Sequence, residues 1–227
     1  MDTVLEGGFA HPVLQSQTAF RAVMDGLANP GTPQNLVTPP LISRTMSPEM
    51  ASIMLTLCDH DTPVWLDENL RADAAVLAFL SFHTGAPIVA EPGRAEFAFA
   101  GAANGLPSLD QFNLGTQEYP DRSTTIVLAL PSLSGGATLS LRGPGIKDHC
   151  HISPQGLPGD FVAQWAVNRA VFPRGIDLLL LAEGRLLADG PPEAVLTPDL
   201  LARAFHITAH HAQTPDGPVF QPLSVIR

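Results

Sequence analysis

One short stretch of the chain, Arg142-Gly143-Pro144-Gly145, combines glycine turns with a cationic side chain. Glycines let backbone N–H groups come close to an anion, and the guanidinium of Arg142 could add a bidentate contact to a phosphate-type group. Arg174 offers a second guanidinium at another turn. A structural turn with a solvated arginine fits the same residues and is favoured, since one glycine loop is weak evidence. The ligand-binding hypothesis therefore rests on Arg142, Gly143, Gly145 and Arg174.

Two pairs of histidines have spacings that could bring imidazoles together. His149 and His151 would lie on one side of an extended segment, and His206 and His210 have helical i, i+4 spacing. A structural zinc site needs about four converging ligands, and neither pair has a partner set in the sequence. The sequence therefore predicts no metal site.

Polar groups are concentrated in Asp59-His60-Asp61, where a helix is expected to meet a strand. Carboxylates and imidazoles serve as acid–base and metal-binding groups. Such residues more often cap a helix end and satisfy turn backbone groups, and capping is favoured here. His83 and Asp177 lie at the ends of other predicted elements, where lining a pocket and a structural role fit equally well. Nothing forms a nucleophile–base pair, so the sequence predicts no catalytic residue.

The composition narrows the function classes. The 227 residues are 45% apolar, enough for a proper core, and 12 basic against 22 acidic residues give a net charge of −10, which disfavours a nucleic-acid surface. Cys58 and Cys150 are isolated, as in reduced cytoplasmic proteins. The first residues lack the pattern of a signal peptide, and no apolar stretch approaches the length of a membrane span. We expect a cytoplasmic protein that binds neither nucleic acid nor membrane.

Helical and extended patterns alternate along the chain, which indicates a layered α/β domain. Helices are predicted over 15–28, 47–57, 72–82 and 159–171, and strands over 63–66, 88–90, 96–100, 126–130, 137–141 and 176–182. The first helix is predicted to bury Phe20, Val23, Met24 and Leu27. The strand 126–130 is apolar on both faces and should be central, joined by a Ser/Gly loop to a half-buried partner, 137–141.

Seven blocks of sequence, in order, resemble the H subunit of the bacterial carbon–phosphorus lyase system, the PhnH family. The match covers about residues 5–187. The blocks are Phe20-Arg21 with Met24 and Pro30-Gly31, LTLCDHDTPVWL (55–66), FHTGAP (82–87), PDRSTT (120–125), SLSGG (132–136), LRGPGI (141–146) and FPRGIDLLL (172–180).

The resemblance implies a three-layer α/β sandwich with a mixed central sheet, similar to the large domain of pyridoxal-phosphate transferases but without the cofactor. Lys147, the only lysine, is then expected to be a surface residue rather than a Schiff-base lysine, and no cofactor is expected.

The implied function is that of a non-catalytic but required subunit. With partner subunits it would support formation of a ribose 1-phosphonate 5-triphosphate from ATP and a phosphonate. The implied partners are the G, I and J subunits in a core complex, and a second copy in a homodimer when the protein is alone. The alternative is a module that binds a phosphonate or nucleotide without stable assembly, using Arg142 and Arg174.

The sequence departs from the family after about residue 187, so we expect a family domain over 1–187 and a C-terminal extension over 188–227. The extension resembles the end of ATP-binding subunits from haem or siderophore importers, and short helices are predicted near Val195 and over 200–205. The chain lacks a GxxxxGK[ST] loop, and its one lysine lies elsewhere. The resemblance therefore does not imply ATPase activity.

Overall fold

The structure is a computed structural model that describes residues 7–182, 207–214 and 217–225. The chain divides into two compact units, Met1–Gly184 and Arg185–Arg227. In the described part of the first unit the helices are α1 (Pro12–Ala28), α2 (Pro48–Leu57), α3 (Glu68–Ala72), α4 (Ala74–His83) and α5 (Phe161–Ala170). The strands are β1 (Val64–Leu66), β2 (Phe97–Ala100), β3 (Thr125–Ala129), β4 (Leu139–Leu141), β5 (Cys150–Ile152) and β6 (Asp177–Leu181).

The main sheet has the strand order β1-β2-β3-β6, and all three pairings are parallel. Strand β3 lies inside the sheet, as its continuous apolar run predicts, and Ile126, Val127 and Leu128 are fully buried. The expected mixed central sheet is wrong for these four strands, because the antiparallel pairing lies in a separate ribbon, β4 with β5. The segment 88–90 contributes only an isolated bridge from Ile88 to Val64.

The parallel sheet separates two apolar clusters because alternate strand residues point to opposite faces. Val64, Leu66 and Val127 join one cluster, together with buried residues of α2 and α4. Trp65 and Ile126 join the other, against which α5 packs two aromatic side chains. Helices thus cover both faces of the sheet, which is the usual arrangement for parallel strands.

The second predicted strand does not pair with β3. It forms the antiparallel β4–β5 ribbon instead, joined by the turn at Gly143. The ribbon is held to the end of β3 by a bridge in which Gln155 N–H donates to the Ser132 carbonyl over 2.9 Å. The predicted hairpin was wrong because Pro131 and the following Ser/Gly residues carry the chain out of the sheet before the second strand begins.

Side-chain caps set several helix starts. Ser47 accepts a hydrogen bond from Met50 N–H, and Pro48 occupies the first helical position of α2, as predicted. The helix predicted over 72–82 is two helices, because Asp73 ends α3 and caps α4. Gly85, at φ +68°, ends α4 as predicted.

Helix α1 buries a different face from the predicted one. Ala19 and Val23 are buried, whereas Phe20, Met24 and Leu27 are 49%, 48% and 41% exposed. Both stripes have helical spacing, and Val23 joins the apolar cluster that contains the buried residues of α2. The prediction that Phe20, Met24 and Leu27 form the buried stripe is therefore wrong.

The described part of the second unit is an antiparallel pair, β7 (Ile207–Thr214) with β8 (Gly217–Val225), which the sequence did not indicate. His210 lies in β7, so a helix carrying His206 and His210 is excluded. The helices predicted near Val195 and over 200–205 fall outside the described residues. Within the described segments, every helix is too short or too polar to cross a bilayer.

Candidate functional site

The glycine turn at Arg142 follows β4, and its geometry is that of a structural turn. Gly143 and Gly145 have φ of +155° and +79°, and Ile146 N–H donates to the Gly143 carbonyl over 3.2 Å. A Cβ at position 145 would overlap the carbonyl oxygen of Ala28, the last residue of α1. The carboxyl end of a helix carries partial negative charge, so this location disfavours an anion.

The two candidate arginines are attached to opposite ends of the sheet. Arg142 belongs to the ribbon fixed at the carboxyl end of β3, whereas Arg174 precedes the amino end of β6. Arg142 is exposed, and the Arg174 Nε atom is buried with no hydrogen-bond partner in the described part of the chain. The four candidate residues, Arg142, Gly143, Gly145 and Arg174, therefore do not form one pocket. Their assignment to ligand binding stays a prediction.

The Asp59 cluster is a helix-ending turn. The Asp59 carboxylate accepts hydrogen bonds from Thr62 Oγ1 (2.7 Å) and Asp61 N–H (3.0 Å), and these bonds lower its pKa. His60 Nε2 lies 3.3 Å from an Asp61 carboxylate oxygen, and both side chains are exposed. The carboxylate is thus engaged by its own turn, which is the role that the sequence favours. Among the described residues, no three potential ligands converge as a metal site.

His83 and Asp177 lie at element ends, as predicted. His83 packs against Phe79 (tilted) and Phe82 (edge to face), with ring centroids 4.8 and 4.9 Å away, and burial lowers its pKa. Partial desolvation raises the pKa of Asp177, although this first residue of β6 remains exposed. Neither residue is paired with a nucleophile in the described structure, so neither acquires a catalytic role from its position.

The buried thiol of Cys58 is not activated. Burial raises the pKa of Cys58 to about 12, because the thiolate would lose its hydration and face Asp59. A thiol with this pKa is protonated at neutral pH and is a poor nucleophile.

Lys147 is exposed beside the ribbon turn, as expected for a surface lysine.

One buried carboxylate was missed by the sequence analysis. Asp67 is 1% exposed and caps α3 by accepting from Leu70 N–H over 2.8 Å, while its second oxygen accepts from Gly101 N–H over 2.7 Å. It thus ties the end of β1 to the end of β2. Its position just before a helix could have indicated the capping role from the sequence. Both of its carboxylate oxygens accept structural hydrogen bonds.

The surface of α5 is apolar and uncovered. Val162 and Val167 are 64% and 58% exposed, and Phe172, just after the helix, is 78% exposed. We call this surface the α5 apolar face; its other exposed members are Ala163, Ala166 and Ala170. Contiguous exposed apolar groups on a soluble protein mark interaction surfaces. The sequence could have indicated this surface, because residues 161–170 contain only one charged residue, Arg169.

A shallow groove borders this face, lined by Leu109, Leu114, Ala163, Val167 and neighbouring polar residues. Gln164, one of those polar residues, accepts from Leu109 N–H (2.9 Å) and donates to Asp160 (2.8 Å). Asn168 uses both amide atoms on Ile176. Both amide side chains are thus engaged within the chain, and the other polar lining residues are Ser108 and Asp110.

Comparison with known proteins gives a consistent result. Residues 7–188 match the family model described as "Bacterial phosphonate metabolism protein (PhnH)". A Rhizobium meliloti protein, "Alpha-D-ribose 1-methylphosphonate 5-triphosphate synthase subunit PhnH", is 46% identical over 184 residues, which are 81% of this chain and 92% of the relative. HtxG of Stutzerimonas stutzeri, described as a candidate C-P lyase subunit protein, is 26% identical over 172 residues, covering 74% of this chain and 79% of HtxG.

Proposed function

Because the chain belongs to the PhnH family of bacterial phosphonate metabolism proteins, we propose that it is a non-catalytic but required subunit of a phosphonate-processing complex. In that complex it supports formation of a ribose 1-phosphonate 5-triphosphate from ATP and a phosphonate. The observation that carries the proposal is the 46% identity with a named synthase subunit over 92% of that subunit's length.

Two features of the described residues support a subunit role over an independent enzyme. The candidate acids, bases and thiols are engaged in turns, buried, or isolated from one another. The α5 apolar face exposes Val162, Val167 and Phe172, and it borders a groove whose two amide side chains are already hydrogen-bonded within the chain. A subunit that contributes surface rather than chemistry has these properties.

The proposed partners are the G, I and J subunits, with a second copy as partner when the protein is alone. A relation to the large domain of pyridoxal-phosphate transferases is part of the proposal and is supported by helices on both faces of a parallel sheet. A cytoplasmic location is supported by the free thiols of Cys58 and Cys150. We further propose that 1–187 is the family domain and 188–227 an accessory extension.

Co-expression tests the proposal. The full chain and a chain ending at Leu187 are each expressed with the G, I and J subunits of the same genome and isolated by affinity through a partner. Native mass measurement then counts the subunits. Incorporation of both forms is expected. If neither form joins the partners, the subunit assignment is wrong.

The α5 apolar face gives a sharper version of the same experiment. Val162→Glu with Val167→Glu places two charges in the proposed interface, and incorporation should fall at least tenfold, because burying an unpaired charge is costly. Leu41→Glu is the control, since Leu41 is 45% exposed in the loop between α1 and α2. Equal incorporation of both variants would remove α5 from the interface while leaving the subunit role intact.

A ligand-binding module remains the second candidate, favoured by the Arg174 Nε, which is buried and has no hydrogen-bond partner among the described residues. Titration calorimetry with ATP and with methylphosphonate tests it on the wild type, Arg142→Ala and Arg174→Ala. Heat that disappears in either variant supports binding through that arginine. Absence of heat in the wild type supports the subunit role alone.

A further inference from the structure

The β4–β5 ribbon has one apolar face and one polar face. Leu139, Leu141, Cys150 and Ile152 are half-buried, and the last three lie against Gly31, just after α1. On the other face, Ser140 pairs with His151, and Thr138 Oγ1 lies 3.2 Å from Ser153 Oγ. The ribbon is thus anchored through its apolar side chains and presents its polar side chains to solvent.

Two imidazoles lie side by side on this polar face. His149 and His151 are two positions apart in an extended segment, so their side chains point the same way. Their ring centroids are 4.9 Å apart with an interplanar angle of 79°, and both residues are exposed. The residue facing His151 across the ribbon is the small Ser140, which leaves space above the pair.

We propose that His149 and His151 form a two-imidazole binding site for a divalent transition-metal ion. Imidazole nitrogen is a good ligand for Cu²⁺, Ni²⁺ and Zn²⁺, with metal–nitrogen bonds of about 2.0–2.1 Å for zinc. Two rings at the observed separation can direct one nitrogen each to a common ion after small side-chain rotations. The Irving–Williams order predicts that Cu²⁺ binds most tightly.

The site differs from the four-ligand zinc site that the sequence analysis considered. Among the described residues no third histidine, cysteine or carboxylate joins the pair, so water completes the coordination shell. The ribbon pairing of Cys150 and His151 with β4 fixes the backbone before the metal binds. Binding therefore orders two side chains rather than a segment of chain, which keeps its entropic cost small.

The charged side chains near the pair are exposed to solvent and together carry one net positive charge. Arg142 and Lys147 are cationic and Asp148 is anionic, and all three are exposed. Salt at physiological concentration screens exposed charges beyond about 8 Å, so coordination rather than the local field determines affinity. The proposed site should thus keep its affinity at raised ionic strength.

The experiment uses the full chain without an affinity tag, in a buffer that does not chelate. Calorimetric titration with Cu²⁺ and with Ni²⁺ should give one site per chain, and the paramagnetic resonance spectrum of the Cu²⁺ form should show two coordinated nitrogens. His149→Ala and His151→Ala should each weaken binding by at least about tenfold. Both side chains are exposed, and unfolding curves that match the wild type verify that each variant is folded.

Other histidines of the chain provide the controls. His60→Ala removes an exposed histidine elsewhere, and a triple replacement of His206, His210 and His211 by Ala removes those of the extension. Both should bind as the wild type does. Asp148→His combined with His149→Ala keeps the number of imidazoles but moves one to the opposite side of the strand, and it should not restore binding.

Three outcomes would overturn the proposal. They are wild-type affinity in both single variants, loss of binding in only one of them, and loss of binding in the triple variant of the extension. The first two exclude a shared chelate, and the third places the metal elsewhere. Equal loss in both single variants, with retention in His60→Ala and in the triple variant of the extension, establishes the site.

Discussion

Helices α4 and α5 are each ten residues long and each contain three alanines, yet they bury different kinds of residue. In α4 the buried residues are Val76, Phe79 and Leu80. In α5 the only buried residue is Asn168, while Val162 and Val167 face solvent. Apolar content therefore predicts that both segments are helical, but it does not say whether the chain itself covers the apolar face.

The two helices are attached to the sheet by different interactions. Helix α4 packs into the larger apolar cluster with α2 and residues of β1 and β2. Helix α5 contributes the half-buried Phe161 and Trp165 to the second cluster and fixes its end through Asn168, whose amide binds both backbone groups of Ile176. The polar clamp holds α5 on the sheet while its apolar surface stays exposed.

The largest effect is expected at this clamp. Asn168→Ala leaves the Ile176 N–H and carbonyl without their 2.8 and 3.1 Å partners. An unsatisfied buried group costs about 1–3 kcal/mol, so the free energy of unfolding should fall by about 2–4 kcal/mol in urea denaturation. Asn168→Asp keeps an acceptor for the Ile176 N–H but sets a buried carboxylate oxygen against the Ile176 carbonyl, so at neutral pH it should lose at least as much. A loss below about 1 kcal/mol in both variants would mean that the amide is not what holds α5.

Much of the fold could be predicted from the sequence because local patterns determine it. The buried run of β3 identifies a central strand, and Ser47-Pro48 marks the start of α2. The pairing partner of a strand does not depend on local sequence. The segment 137–141 has the pattern of a strand whether it pairs with β3 or with β5, and only the tertiary structure shows that its partner is β5. The buried face of α1 is not determined by local sequence either. The helix has two apolar stripes, and the folded structure buries Ala19 and Val23.

The candidate site was less predictable than the fold. The glycine turn was found from its residue types, but its location against the carboxyl end of α1 depends on contacts distant in sequence. The α5 apolar face was missed because an exposed valine and a buried valine have the same sequence signal. His149 and His151 were recognised as a pair, whereas their separation and shared exposure required the ribbon.

A matched pair of valines tests the comparison directly. Val76 in α4 is fully buried and Val167 in α5 is 58% exposed. Val76→Ala should lower the free energy of unfolding by about 1.5–3 kcal/mol, since it removes buried apolar groups and leaves a cavity. Val167→Ala should change it by less than about 0.5 kcal/mol, as expected for a surface position. Comparable losses at both positions, measured in urea, would show that α5 is covered in the isolated protein.

The residues that precede α4 and α5 should give the smallest difference in the free energy of unfolding, and the one that depends most on pH. Asp73 caps α4 by accepting from Ala75 N–H over 2.9 Å, and its carboxylate also accepts from the Ser43 and Thr45 hydroxyls. Asp160, before α5, makes no side-chain bond to its helix backbone. Asp73→Ala should cost about 1–2 kcal/mol at neutral pH, within the range for loss of an N-cap, and Asp160→Ala less than about 0.5 kcal/mol.

Acid should remove the Asp73 effect in a defined direction. The hydrogen bonds from Ser43 and Thr45 hold the pKa of Asp73 below its ordinary value of 3.8. A carboxylate with a lowered folded-state pKa stabilises the fold above its unfolded pKa, and that contribution disappears as the pH falls below 3.8 and through the folded value. The difference between wild type and Asp73→Ala should therefore be constant from about pH 7 to about pH 5 and shrink towards about pH 2. A difference that persists unchanged in acid would assign the capping of α4 to the neutral carboxyl group, because hydrogen bonding would then not depend on charge.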